Sequence, residues 1–398
     1  MSTDGGKDSS WASAMRFIVI MGLVSLFADV TYEGCRGVSG QYLLSLGASA
    51  AVVGTVCGAG ELVGYGLRFF SGYIADRTKQ YWMITIAGYA INLLAVPALS
   101  LTGNWQAAAV LLLVERLGKA VRTPARDTML SYAGSRVGQG FGFGLHEAMD
   151  QIGAVTGPVI MALVLAGGFS YRLALATLLI PAVLAIAILL IGKLTFPVPR
   201  LLEVKAPTIG KGALPRAFYI YVAGVSLIAF GYADFPLIAY HLSRHAALAP
   251  FWIPALYALA MAVDAAAALA LGFLFDRWGF LVLPASFFFS SFFAPAAFLM
   301  GPPLAFCGVA LWGLGMGAQE SIMRAATATL VDVDSRASAY GIMGLSYGVS
   351  WFLGSALMGF LLDVSVYYVV ALSLCTQLLA LPVFFLVQRE LERSGSGS

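Results

Sequence analysis

Apolar residues fill twelve stretches of the chain, broken by short polar segments or by glycine and proline. The stretches run roughly over 16–44, 48–75, 82–102, 105–131, 137–166, 170–192, 217–243, 250–275, 281–301, 303–331, 337–362 and 366–388. About 20 apolar residues in a helix rising 1.5 Å each match the hydrocarbon thickness of a bilayer, so each stretch is predicted to be a membrane-crossing helix. Barrel strands are far shorter, and in hydrocarbon only a helix or a closed barrel satisfies its own backbone. Gly103-Asn104, Gly167-Gly168 and Gly301-Pro302-Pro303 are turn signals between stretches. One interruption is longer. Residues 193–216 are polar, contain Pro197, Pro199, Pro207 and Pro215, and carry five basic groups. The expected organisation is a tail over 1–15, a six-helix bundle over 16–192, a linker over 193–216, a second six-helix bundle over 217–388 and a tail over 389–398. The fold class is an all-α membrane protein of twelve transmembrane helices.

Composition removes the soluble alternative. The 398 residues are 60% hydrophobic and 11% charged, where soluble domains carry about 25% charged residues. The first apolar run contains Asp29 and Glu33 and is followed by no small-residue cleavage site, so it is expected to be a retained helix rather than a signal peptide. Basic residues set the orientation. With the N-terminus inside, fourteen Lys and Arg residues fall in cytoplasmic segments, against only Arg172 and Arg244 on the other side. Both termini are therefore expected in the cytoplasm, with the chain in the plasma (inner) membrane. Cys35, Cys57, Cys307 and Cys375 lie in apolar stretches without metal-ligand spacing and are expected to be small packing residues. The closing Ser394-Gly395-Ser396-Gly397-Ser398 reads as a linker scar or disordered tail.

The chain repeats itself at an offset of 200 residues: Gly72-Tyr73-Ile74-Ala75-Asp76-Arg77 ends the second stretch, and Gly272-Phe273-Leu274-Phe275-Asp276-Arg277 ends the eighth. The same offset relates Ser135-Arg136 to Ser335-Arg336 and Gly144-Leu145 to Gly344-Leu345. A parallel duplication is one known transporter plan, with the binding site at midplane between the halves. G-x-x-x-D-R in both halves resembles the loop signature of the major facilitator superfamily. The first copy lacks the glycine with which that signature continues. In the fifth stretch, Gly153-Ala154-Val155-Thr156-Gly157-Pro158 is similar to the family's antiporter motif, although Met161 and Ala162 stand where further glycines are usual. The resemblance implies that Gly72, Asp76, Arg77, Gly272, Asp276 and Arg277 latch helix ends during gating, and that Gly153, Gly157 and Pro158 take part in antiport. Read from chemistry alone, two glycines four apart let a neighbouring helix approach closely and the proline permits a bend.

Ionisable residues inside the stretches are the candidate site. A charge at bilayer centre costs at least about 2.5–3.5 kcal/mol unless it faces protein or water. Stretches 3, 6, 9 and 12 carry none in their central parts and can face lipid; all the others except the eleventh carry at least one. Asp29, Glu33 and Arg36 share one helical face, as do Glu61, Tyr65 and Arg68, and Glu115, Lys119 and Arg122 with Arg116 beside them. His146 and Asp150 are four apart with Glu147 adjacent, Glu320 and Arg324 are four apart, and Asp234 and Asp264 stand alone. Asp29, Glu33, Glu61, Glu147 and Asp150 are expected to couple protons. Arg36, Glu115, Arg116, Lys119, Asp234, Asp264, Glu320, Arg324, Tyr347 and Trp351 are expected to line the substrate path. Arg122, Arg126 and Asp127, nearer the cytoplasmic ends, are expected to gate it. The oppositely charged pairs Glu115/Lys119 and Glu320/Arg324 could equally be structural salt bridges.

No H-E-x-x-H zinc site and no phosphate-binding G-x-x-x-x-G-K-[ST] loop occurs, and neither a cofactor nor a metal is expected. Together these features predict a secondary transporter, not an enzyme. It would move a small polar solute by alternating access, by proton-coupled export. Its expected partners are that solute, protons and the bilayer, with no nucleic acid, and it is expected to be a monomer. An importer or uniporter of the same fold, or a non-transporting receptor or assembly factor, are the alternatives.

Overall fold

The computed structural model describes residues 5–202, 214–245, 248–331 and 335–395. Lys205, Pro207 and Lys211 of the expected linker and the last three residues of the tail lie outside them. Among the described residues the regular structure is entirely helical. The helices are α1 (Gly5–Ser45), α2 (Ala50–Thr78), α3 (Tyr81–Ala98), α4 (Trp105–Val137), α5 (Gln139–Ala166), α6 (Tyr171–Thr177), α7 (Leu179–Thr195) and α8 (Arg216–Gly231). They continue with α9 (Phe235–Arg244), α10 (Trp252–Trp278), α11 (Val282–Ser291), α12 (Phe293–Leu299), α13 (Gly301–Gly317), α14 (Met323–Leu330), α15 (Arg336–Val364) and α16 (Val366–Gly395). Four expected spans are each two helices joined at a break: α6–α7, α8–α9, α11–α12 and α13–α14. Sixteen helices less four joints leave twelve spans. By length and composition alone nine stretches among the described residues qualify, with Trp252–Leu299 counted once. The first helix begins at Gly5, well before the expected boundary at residue 16.

The chain forms two compact units that do not coincide with its two sequence halves. The first comprises residues 1–36 and 66–207, the second 37–65 and 208–398. In the first unit glycines set the closest helix contacts. A side chain at Gly88 would strike the backbone of Arg122 at 2.6 Å, and one at Gly118 would strike Asn92, so α3 and α4 pack backbone to backbone. On α5, Gly153 faces the Leu26 carbonyl and Gly157 the Val30 carbonyl of α1. The glycine pair that resembles an antiporter motif is thus a helix-packing surface.

In the second unit the α8–α9 break frees backbone groups that hydrocarbon would leave unpaired. Ser373 Oγ donates to the Gly231 carbonyl at 2.6 Å, Trp312 Nε1 donates to the Ala233 carbonyl at 2.9 Å, and Tyr232 Oη donates to the Trp312 carbonyl. A π turn over Ala318–Ile322 separates α13 from α14. The same unit holds the start of α2 against α15. Gly54 and Gly58 meet Ser355 and Phe352, and Gly359 meets the Ala50 carbonyl. The Asp363 carboxylate accepts from Ala50 N at 3.1 Å and Ala51 N at 2.8 Å, while Val52 N donates to Ser49 Oγ at 3.3 Å. Three of the four orphan donors at this helix start are therefore satisfied. Arg244 Nη1 completes the arrangement at 3.3 Å from Asp363.

The cysteine expectation needs correcting. Cys35 is buried and Cys57 half-buried, but Cys307 and Cys375 are exposed on helices whose outer faces are apolar. His241 is buried and bonded through Nε2 to the Phe298 carbonyl at 3.0 Å.

Candidate functional site

The first unit gathers Asp29, Glu33, Lys119, Arg126 and Asp150 where α1, α4 and α5 meet. Asp29 and Glu33 are 6% and 8% exposed. The Gly153 contact brings the α5 backbone onto the turn that carries Asp29. Asp150 lies one turn earlier on α5 and is half-buried. Among the described residues, one Asp29 oxygen and one Asp150 oxygen accept no hydrogen bond. His146 Nδ1 sits 3.5 Å from Asp150 Oδ2, and Ser25 lies between Asp150 and Arg126, whose Nη1 donates to Ser25 Oγ at 3.2 Å.

The basic groups are held by other acids and by rings. Lys119 Nζ is 3.9 Å from Glu33 Oε1 and 3.9 Å from the centre of the Tyr32 ring. Arg122, 1% exposed, lies 4.2 Å over Tyr89 and makes no hydrogen bond through Nε or Nη1 among the described residues. A ring face is a weaker counter-group than a carboxylate, so this guanidinium is buried with little compensation. Arg126 pairs with Asp127 at 2.8 Å. The structural salt bridge that was one of the two readings of Glu115 and Lys119 is not formed. Glu115 instead takes Arg116 Nε at 3.3 Å and the Asn92 amide at 2.7 Å, because Gly118 draws α3 onto that side of α4.

Other predicted residues fall elsewhere. Glu147 is exposed. Asp76, Arg77, Asp276 and Arg277 are exposed at the ends of α2 and α10; Tyr81 Oη donates to Asp76 at 3.3 Å, and Arg77 Nη1 donates to Tyr73 Oη at 3.2 Å. Asp276 borders a cavity of about 380 Å³ with Phe280 and Thr329. Gly72 rests on Pro124 and Gly272 on Ser321. In the second unit Asp234 and Asp264 are buried, and neither is without a partner, contrary to the expectation that they stand alone. Tyr347 and Trp351 are also buried there, while Glu61 and Glu320 are half-buried and Arg324 is exposed. Arg36 remains half-buried on α1, in the first unit. Gly344-Leu345-Ser346-Tyr347-Gly348 has the G-x-S-x-G spacing of a hydrolase nucleophile turn, but it lies inside continuous helix α15, where no strand-to-helix elbow exists.

Sequence reasoning missed Ser25, Tyr32, Asn92, Gln319 and Asp363. Asn92 was the most accessible of these, as a lone amide in an otherwise apolar stretch.

Residues 10–355 match the family model described as Major Facilitator Superfamily. The chain belongs to this superfamily. An uncharacterized protein of Mycobacterium tuberculosis is 40% identical over 383 residues, covering 94% of each chain. An uncharacterized MFS-type transporter of Methanocaldococcus jannaschii is 27% identical over 146 residues, 37% of this chain and 36% of that one. Among solved structures, the nucleoside transporter NupG superposes with a TM-score of 0.75 at 15% identity, covering 93% of this chain and 99% of that one. A bacterial homolog of the human lysosomal transporter Spinster gives 0.71 at 15% identity, covering 95% and 97%. At such identities these structures share the fold. This major facilitator transporter is an integral membrane protein whose family and fold are those of small-molecule transporters rather than enzymes.

Proposed function

We propose that this transporter exports a small polar solute in exchange for protons, and that Asp29 and Asp150 are the pair that takes up and releases the proton. The observation carrying the reading is that Gly153 brings α5 onto the turn of α1 that holds Asp29, with half-buried Asp150 one turn earlier on α5, each carboxylate keeping an oxygen that accepts no hydrogen bond among the described residues, while Lys119 and Arg126 pair with Glu33 and Asp127. Two neighbouring carboxylates in a low-dielectric interior favour sharing one proton, and a change of local water access would release it. Glu33 would follow through Lys119. His146, 3.5 Å from Asp150, would carry the proton onward. Export is favoured by the Gly153–Pro158 resemblance, and the acidic excess over the two units favours a cationic or zwitterionic solute.

A thermal-shift screen against metabolites, metals and drugs would supply a substrate, and flux would then be followed in proteoliposomes. Asp29→Asn and Asp150→Asn should each abolish accumulation driven by a pH gradient while gradient-independent exchange of labelled substrate continues. Unchanged gradient-driven accumulation in both variants removes the proton role. Uptake driven by an inwardly directed proton gradient, instead of expulsion, identifies an importer. Saturable binding without any flux identifies a receptor.

A further inference from the structure

The C-terminal end of α9 holds two of the chain's three histidines, His241 in the last turn and His245 at the cap, one helical turn apart. Their ring centres are 4.7 Å apart, with the ring planes tilted by 59°. Metal–imidazole bonds of about 2.0–2.1 Å, plus about 1.1 Å from ring nitrogen to ring centre, put two rings that share an ion about 4.5–5.2 Å apart for an angle of about 90–109° at the metal. The observed spacing falls in that range, so the backbone already holds the two rings at chelating distance.

A second, independent observation fixes which nitrogen is available. His241 is 9% exposed, and its Nε2 lies 3.0 Å from the Phe298 carbonyl oxygen. A carbonyl oxygen only accepts, so Nε2 carries the proton and Nδ1 of the neutral ring keeps its lone pair. Metal-binding histidines almost always donate their other ring N–H to a carbonyl or carboxylate in this way, which orients the ring and raises its basicity. The Phe298 ring, 5.1 Å from the His241 ring, packs against it as well. His245 is exposed, so an ion reaches the pair from outside the fold.

The surroundings admit a cation. The pair sits at a helix C-terminus, the negative end of the helix dipole. Arg244, between the two histidines in sequence, lies 3.3 Å from Asp363, so its charge is already balanced. Among the described residues no cluster of three or more His, Cys, Asp or Glu side chains is placed to hold a metal. A pair leaves coordination positions open to water, so a bound ion would exchange rather than form a closed structural centre.

We propose that His241 and His245 chelate one divalent transition-metal ion of the zinc, nickel or copper type, through Nδ1 of His241 and a ring nitrogen of His245. Imidazole selects these ions over magnesium and calcium, which take oxygen ligands. The site stands apart from the proton pair, and its test needs no transported solute.

The purified full-length transporter, carrying no histidine tag, is titrated with Zn2+ in nanodiscs, with empty nanodiscs as the blank and Mg2+ as the oxygen-seeking control. Calorimetry should show one Zn2+ site per chain that Mg2+ does not compete for. His245→Ala, at an exposed position, should weaken Zn2+ by at least about tenfold while the metal-free thermal midpoint stays unchanged. Zn2+ should raise the midpoint of the unsubstituted protein and not that of His245→Ala. In a chain whose four cysteines are replaced by serine, Cu2+ should show two imidazole nitrogens by electron paramagnetic resonance, and one after His241→Gln is added. No saturable Zn2+ binding, full affinity in His245→Ala, or a single nitrogen on Cu2+ with both histidines present overturns the site. If His241→Gln lowers the metal-free midpoint, the exposed His245→Ala variant decides alone.

Discussion

Replacing Asp363 by Asn tests how the start of α2 is held to α15. The carboxylate accepts two backbone N–H groups and faces Arg244. Asparagine keeps one acceptor oxygen and loses the other together with the charge. The lost charge-assisted hydrogen bond is worth about 1.5 kcal/mol net. Removing a negative charge from a helix N-terminus adds about 0.3–1 kcal/mol. The Arg244 pair adds little, because its side chains are 47% and 29% exposed. The sum of about 2 kcal/mol corresponds to a shift of roughly 30-fold toward a state in which α2 and α15 have parted. Cys57 reports on that state directly. It is half-buried on α2 between Gly54 and Gly58, which touch α15. With the other three cysteines replaced by serine, maleimide labelling of Cys57 should accelerate by the same factor in Asp363→Asn. Arg244→Gln should raise it less than about threefold, in line with an exposed ion pair. If Asp363→Asn leaves the rate unchanged, or Arg244→Gln matches it, the helix-start bonds are not what holds this contact.

Two other substitutions probe the packing that assembles the candidate site. Gly153→Val would drive a side chain into the Leu26 carbonyl and Asp29, so α1 and α5 must separate; the expected loss is about 1–3 kcal/mol, read as a lowered thermal midpoint, and an unchanged midpoint would show that this contact is slack. Asn92→Ala removes the amide that donates at 2.7 Å to the buried Glu115 carboxylate; a cost of about 1–3 kcal/mol is expected, and wild-type stability would mean that water or Arg116 replaces the amide.

The helix count was legible because hydrocarbon punishes any polar break, so each span had to be written as an apolar run. The charged faces were legible for the same energetic reason: Asp29, Glu33, Lys119 and Asp150 are too costly to sit at random, and the fold gathers them in one unit. Which acid pairs with which base was not legible. Lys119 lies one turn from Glu115 yet joins Glu33, because pairing depends on which helix a glycine lets approach, and Gly118 admits Asn92. Asp363 left no local signal. Its partners Ala50 and Ala51 are more than 300 residues away, and neither side of the contact has an unusual composition. Residues 37–65, in the first half by sequence, group with the second compact unit, and no feature of their composition marks this.

The π turn at Ala318–Ile322 amounts to one surplus residue threaded into the tenth span. Each residue advances a helix by about 100°, so α14 is out of phase with α13 by that angle compared with an unbroken helix. Both flanks are pinned: Trp312 ties α13 to Ala233, and Tyr221 ties α14 through the Met323 carbonyl at 2.6 Å. The surplus cannot anneal out by untwisting either end. A single-residue deletion here would not shorten a loop. It would remove the surplus and leave Thr327 and everything beyond it at its present azimuth, whereas the same deletion in the regular helix on either side would turn them by about 100°.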